Sequence, residues 1–139
     1  MKKFLLEDIM CEQPIKVSED VRVGMVAHLL LRYRINGIFV VKKNDENQLV
    51  GVFTTTDLLK LLERALSNRK QKLKELKRVS DFSVGQVASK KVITLSKKTT
   101  IIKAVAIMHK KHVHTLPVYE DGKMVGVVGR HDILNAAFA

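Results

Sequence analysis

The apolar positions along this chain form a pattern that occurs twice. In the first occurrence a short extended piece, Ile15-Lys-Val17, precedes a helical stretch in which Val23, Val26, Ala27 and Leu30 keep the i, i+3, i+4, i+7 spacing of one buried face. Two apolar runs follow, Gly37–Val41 and Leu49–Phe53, separated by the polar turn Asn44–Asn47, and a leucine-rich helix runs on from Asp57. In the second occurrence the extended piece is Val92–Leu95, and Ile101, Ala104, Val105 and Met108 carry the helical spacing. Thr115–Tyr119 and Met124–Val128 then flank Asp121-Gly122, a strong hairpin signal, and a helix runs on from Asp132. Ser18 and Ser96 are read as helix-start signals. Each unit is thus β-α-β-β-α, and the fold class is mixed α/β (α+β).

The two occurrences are copies. A displacement of 78 residues superposes Ile15 on Ile93, Ser18 on Ser96 and Val40 on Val118. Beyond residue 41 the displacement falls to 75, and Gly51 meets Gly126, Val52 meets Val127, Asp57 meets Asp132 and Leu59 meets Leu134. The difference falls in a polar turn, where length changes are tolerated. One copy is too small to bury its own helices and sheet well. The expectation is therefore one pseudo-two-fold body with the copies packed sheet against sheet. The first repeat takes residues 1–66, a basic helical connector 67–83, and the second repeat 84–139.

The copies share one chemical feature. Gly51-Val-Phe-Thr-Thr-Thr-Asp57 and Gly126-Val-Val-Gly-Arg-His-Asp132 both read as a strand ending in a helix N-terminus. Free N–H groups and the positive end of the helix dipole suit such a junction to an anion, commonly a phosphate. The carboxylate of Asp57 or Asp132 can accept hydrogen bonds from hydroxyls such as those of a ribose. The plainer role for Asp57 is N-terminal capping.

Composition narrows the function. The chain has 139 residues, 46% of them hydrophobic, and a formal charge of +11, which favours anionic partners. No run of about 18 apolar residues is present, so no membrane span is expected. Met1–Leu6 briefly resembles a signal peptide, but Glu7 and Asp8 end its apolar run. Cys11 is the one cysteine, which fits a reducing cytoplasm. His109, His112 and His114 cluster, yet Lys110 and Lys111 between them disfavour a metal and favour a surface or phosphate-adjacent role, above all for His114. With no nucleophile elbow, zinc spacing or phosphate-binding loop of the Walker type, no catalysis is expected. Arg64, Arg69, Lys70, Lys72, Lys74, Lys77 and Arg78 crowd the stretch after Asp57, which is read as an extension of that helix as far as a connection near Ser80–Ser83. Its plain reading is a solvated basic surface; the competing one is a nucleic-acid-binding helix over 64–78.

The duplicated unit, the strand Gly37-Ile-Phe-Val40 with its counterpart Leu116-Pro-Val118, and Gly-Val-Phe-Thr-x-x-Asp57 together resemble a stand-alone pair of CBS domains, the regulatory modules named after cystathionine β-synthase. The resemblance covers the chain from about Asp8 to Phe138. It implies binding of an adenine nucleotide, often AMP, ADP or ATP and sometimes S-adenosylmethionine, in clefts between the repeats. Thr54 would lie near phosphate, Asp57 would take the ribose hydroxyls, and Ile38 and Phe39 would border the base, with backbone contacts from near Ile93 and Thr94 or near Ile15. The full implied set adds Gly37 and Thr56 from the first copy, and His114, Leu116, Pro117, Arg130, His131 and Asp132 from the second. The resemblance also implies a homodimer through the helices and a regulated target on another chain. A ligand-free dimerisation module is a further alternative. Two departures stand out: Phe39 replaces the usual Pro, kept at Pro117, and Gly129 replaces the usual hydroxyl residue. Arg130 and His131 bring charge to the second junction, so the two sites are expected to be unequal.

Overall fold

The structure is a computed structural model and describes residues 5–138; Met1 to Phe4, most of the signal-like stretch, lie outside them. After a 3-10 turn at Leu6–Asp8, the elements are β1 (Lys16–Ser18), α1 (Val23–Tyr33), β2 (Gly37–Lys42), β3 (Asp45–Thr54), α2 (Thr55–Leu66), α3 (Lys72–Ser80), α4 (Val84–Val87), β4 (Leu95–Ser96), α5 (Ile101–Lys111), β5 (Thr115–Glu120), β6 (Lys123–Gly129) and α6 (Arg130–Phe138). They make two three-stranded sheets, β1-β2-β3 and β4-β5-β6, each with one parallel and one antiparallel pair. The class is the mixed α and β one that the pattern predicts.

Two compact units emerge. One spans Ile15–Lys91, and the other joins the N-terminal stretch as far as Pro14 to the chain from Val92 onward. This grouping cuts across the repeat boundaries because the segments leading into each repeat are exchanged. Leu6 N donates to Thr99 O, and Val84 N donates to Val21 O, both at 2.8 Å. Cys11 pairs through both backbone groups with Val127, and Ser89 pairs in the same way with Val52. Each pair of partners is related by the displacement of the duplication. Leu6 is thereby fully buried in the core with Ile101, Leu116, Val118 and Val128, while Val84 is fully buried with Val26, Val40 and Phe53.

Several local expectations change. The chain turns at Lys43-Asn44, not across Asn44–Asn47: β3 already begins at Asp45, opposite Lys42, with register irregularities around Val41. Backbone pairing there is indifferent to the polar side chains, which remain exposed or half-exposed. Ser18 and Ser96 lie in strands, and the helices they were to start begin later: α1 follows Arg22, whose side chain makes no cap, and α5 follows Thr100, whose hydroxyl accepts from Lys103 N at 3.3 Å. The helix expected from Asp57 begins at Thr55 and stops at Leu66. Asn68 Oδ1 accepts from Lys70 N and Gln71 N, an Asx-type turn, so the basic stretch is two helices and a turn rather than one long helix. Asp121-Gly122 does form the tight hairpin turn, with φ of 50° and 76°.

Candidate functional site

The two strand-to-helix junctions are built from the inside out. In the first, β2 pairs with β3 so that Gly37 faces Thr54 and Ile38 faces Phe53. Thr55 N donates to Asn36 O at 2.9 Å, which ties the start of α2 to the start of β2. Thr54 is the N-cap: its Oγ1 accepts from Asp57 N at 3.2 Å, and Asp57 Oδ2 accepts from both Thr54 N and Thr54 Oγ1 at 2.9 Å. This is a reciprocal capping box. Among the described residues, Asp57 Oδ1 has no hydrogen-bond partner. Ile38 points into the helix-side core, whereas Phe39 lies on the other face of the sheet and is 2% exposed. Thr56 is exposed, and Ile15, just before β1, packs against the core edge.

The second junction repeats this frame with altered chemistry. Thr115 faces Gly129, and Arg130 N donates to His114 O at 3.0 Å. Gly129 N donates to Asp132 Oδ2 at 2.7 Å, so half of the capping box survives without a hydroxyl. Asp132 Oδ1 also lacks a partner among the described residues. Leu116 is buried in the core, Pro117 is buried on the opposite face, and His114, Arg130 and His131 are exposed. Ile93 packs against the core, and the neighbouring Thr94 is exposed.

The Phe39 and Pro117 difference has a visible consequence. β1 pairs with β2 over three residues, beginning Lys16 to Phe39, whereas β4 pairs with β5 over two, beginning Leu95 to Val118. Proline has no N–H to give to a ladder, so the second parallel pairing starts one residue later, past Pro117.

Within each unit, then, the nominated residues gather at the edge where strands end and a helix begins: Ile15, Gly37, Ile38, Thr54 and Asp57 in one, Ile93, Thr94, His114, Leu116, Arg130 and Asp132 in the other. His109 and His112, read from the sequence as surface or phosphate-adjacent residues, join the nominated His114 and Arg130 in lining a cavity of about 390 Å³ with Val105, Met108, Val113, Ile133 and Leu134; that the four share one cavity is not legible in the sequence. Among the described residues, no three His, Cys, Asp or Glu side chains are grouped to hold a metal, and no helix is long and apolar enough to cross a membrane.

Comparison with known proteins places this architecture. The chain is 33% identical over 130 residues to an uncharacterised protein, MJ0450, of Methanocaldococcus jannaschii; the match covers 93% of this chain and 64% of that protein. Its fold matches the CBS domain pair of protein MJ0100, solved with 5'-methylthioadenosine and S-adenosyl-L-methionine (TM-score 0.75, 22% identity, 97% of this chain and 96% of that one). It also matches CBSX2, solved with AMP (TM-score 0.77, 24% identity, 96% of both chains). A family model for the CBS domain fits residues 6–64 and again 84–139. With two matched repeats, two like sheets and two like junctions, the chain belongs to the CBS domain family as a tandem pair.

Proposed function

We propose that this CBS pair is a regulatory module that binds an adenosine nucleotide (AMP, ADP or ATP) at its strand-to-helix junctions and performs no catalysis of its own. The observation that carries the reading is the division of labour in Asp57. One carboxylate oxygen is used up in holding the turn, and the other is left for an outside donor such as a ribose hydroxyl. The turn is thus fixed before any ligand arrives, which lowers the cost of ordering on binding. Thr55 N, Asp57 N and Arg130 N are already bonded, and the N–H groups of Thr56 in α2 and of His131 and Asp132 in α6 are the ones that suit phosphate. That MJ0100 and CBSX2 were solved with adenosine compounds supports the ligand class.

Asp57 with Thr54 and Thr56 makes the stronger site, with the backbone of β2 at Ile38 and Phe39, whose side chains are buried on opposite faces of the sheet, and Ile15 and Gly37 at its edge. The second junction, with Gly129 in place of a hydroxyl residue, binds differently and leans on Arg130 and His131. Ligand binding acts on a target chain by its differential affinity for two states of the module. The working form is a cytoplasmic homodimer joined through exposed helix faces. Thermal unfolding with added AMP, ADP, ATP or S-adenosylmethionine tests the reading. A ligand at a hundredfold excess over its Kd stabilises by about 2.7 kcal/mol, so one of the four must raise the midpoint by several degrees. No shift with any of them sinks the proposal.

A further inference from the structure

The stretch that joins the two repeats has no part in the nucleotide reading. Residues 64–78 set Arg64, Arg69, Lys70, Lys72, Lys74, Lys77 and Arg78 against one acidic residue, Glu75, and so carry more than half of the formal charge of +11. Two of these cations are held within the protein. Lys77 pairs with Asp81 at 3.5 Å, and Arg78 pairs with Glu75 at 3.2 Å and lies over the Phe82 ring. Arg64, Arg69, Lys70, Lys72 and Lys74 are exposed, and among the described residues none of them has an acidic partner. Repulsion among these five destabilises the free protein, and a polyanion relieves it.

The packing of α3 narrows the choice of polyanion. Its inner side is seated on the protein: Leu76 and Val79 are half-buried, and Val79 packs with Phe82 against the core that holds Val26 and Phe53. A Cβ added to Gly24 of α1 would stand 2.2 Å from Ser80 Oγ, so the two helices touch closely. A helix that lies in a membrane surface needs a free apolar face to insert. In α3 that face is already used, and Leu73, 83% exposed, is the one apolar residue of the helix left in solvent. Residues 55–80 include no aromatic side chain, so unpaired bases find no platform to stack on. What remains is fixed positive charge on a supported helix. The nine residues of α3 extend about 13 Å, over which a duplex presents roughly seven phosphates.

We infer that the end of α2, the turn held by Asn68 and the outer side of α3 form a binding surface for double-stranded nucleic acid, which they grip by its phosphates without regard to sequence. The surface is set apart from the first junction. α2 has 12 residues and is about 18 Å long, with Asp57 in its first turn and Arg64 in its last. The inference therefore stands whether or not a nucleotide binds at Asp57.

Fluorescence anisotropy of a short labelled DNA duplex, titrated with the nucleotide-free protein, tests it. Binding has a Kd on the order of 10 μM near physiological salt, and log K falls against log salt with a slope of about −4.5 for five phosphate contacts. A duplex of unrelated sequence binds within about twofold, and a single strand of the same length binds more weakly. Lys70→Gln, Lys72→Gln and Lys74→Gln together weaken the duplex at least about tenfold and flatten the slope by about three. Lys103→Gln, Lys110→Gln and Lys111→Gln together remove the same charge from exposed positions on α5 and change binding little. Equal losses in the two triple variants reduce the effect to net charge and overturn the assignment. So does the absence of saturable binding at low salt, tighter binding of the single strand, or tighter binding of phosphatidylglycerol vesicles than of duplex. Circular dichroism of each variant confirms that a loss is not unfolding.

Discussion

Ser89 O lies 2.2 Å from where a Cβ on Gly51 would stand. The two backbones come this close because Ser89 pairs with Val52, donating and accepting at 2.9 Å. Gly126 repeats the relation: an added Cβ there meets Cys11 O at 2.8 Å and Met10 Sδ at 2.6 Å, beside the Cys11 to Val127 pairing. The glycine of each Val-Gly-Val is thus the seat of the exchanged segment. Gly51→Ala should cost about 2 kcal/mol or more by overpacking against backbone, as read from urea unfolding. Gly126→Ala should cost less, because part of its obstacle is a flexible methionine. Two near-neutral substitutions would show that the exchanged pairings are not formed.

The caps of α2 and α6 respond in opposite directions. Thr54→Ala removes the N-cap oxygen from Asp57 N and should destabilise by about 1 kcal/mol. At Gly129, a Cβ meets nothing nearer than Asp132 Oδ2 at 3.6 Å. Gly129→Thr should therefore fit and stabilise by a few tenths to about 1 kcal/mol, through capping and lower unfolded-state entropy. Thermal midpoints of the two variants check this pair; a destabilising Gly129→Thr contradicts it.

Large apolar side chains are exposed on the first repeat's helices, including Met25 at 57%, Leu31 at 72% and Leu59 at 64%. If the homodimer forms through this face, sedimentation should give twice the 15.7 kDa chain mass. Leu59→Glu should shift the protein toward monomer, since a charge at the centre of an apolar contact is left unpaired. A wild-type protein that sediments as a monomer at high concentration excludes the dimer.

Alkaline pH should loosen the second unit at one cluster. Lys97 Nζ lies 2.8 Å from Glu120 Oε1 and 3.8 Å from Glu7 Oε2. The hydrogen bond to Glu120, and then the charges of Glu120, Glu7 and Asp121, hold its ammonium above the ordinary lysine value of 10.5, with burial acting against them. A pKa raised by folding stabilises fully below the unfolded value and is lost as pH rises through the folded one. The stability gap between wild type and Lys97→Gln should be small, constant near neutrality, and should close above about pH 10.5. A gap that widens there would contradict the assignment.

Much of this fold is legible in the sequence because the duplication tests each local reading twice. The buried faces of α1 and α5, the strand pairs and the Asp121-Gly122 turn follow from spacing and turn chemistry alone. The exchange of Leu6 and Val84 is not, since pairing between distant segments leaves no local periodicity. Nor is the break after Leu66, where a single Asn68 side chain outcompetes continuation of a good helical pattern. At the junctions, Asp57 is readable from its spacing to Thr54, but its split use of two oxygens is a matter of geometry. The α5–α6 cavity escapes for a like reason: His109 and Arg130 are far apart in sequence and meet only when α5 and α6 pack.

The central claim is that Asp57 receives a nucleotide. Calorimetric titration with AMP on the wild type, Asp57→Asn and Asp132→Asn tests it most directly, because Asn keeps an oxygen for the cap while losing the carboxylate charge. The account predicts micromolar binding that Asp57→Asn weakens about tenfold or more, with a different and smaller loss for Asp132→Asn. Flat traces on the wild type, or an Asp57→Asn variant that binds as the wild type does, would contradict it.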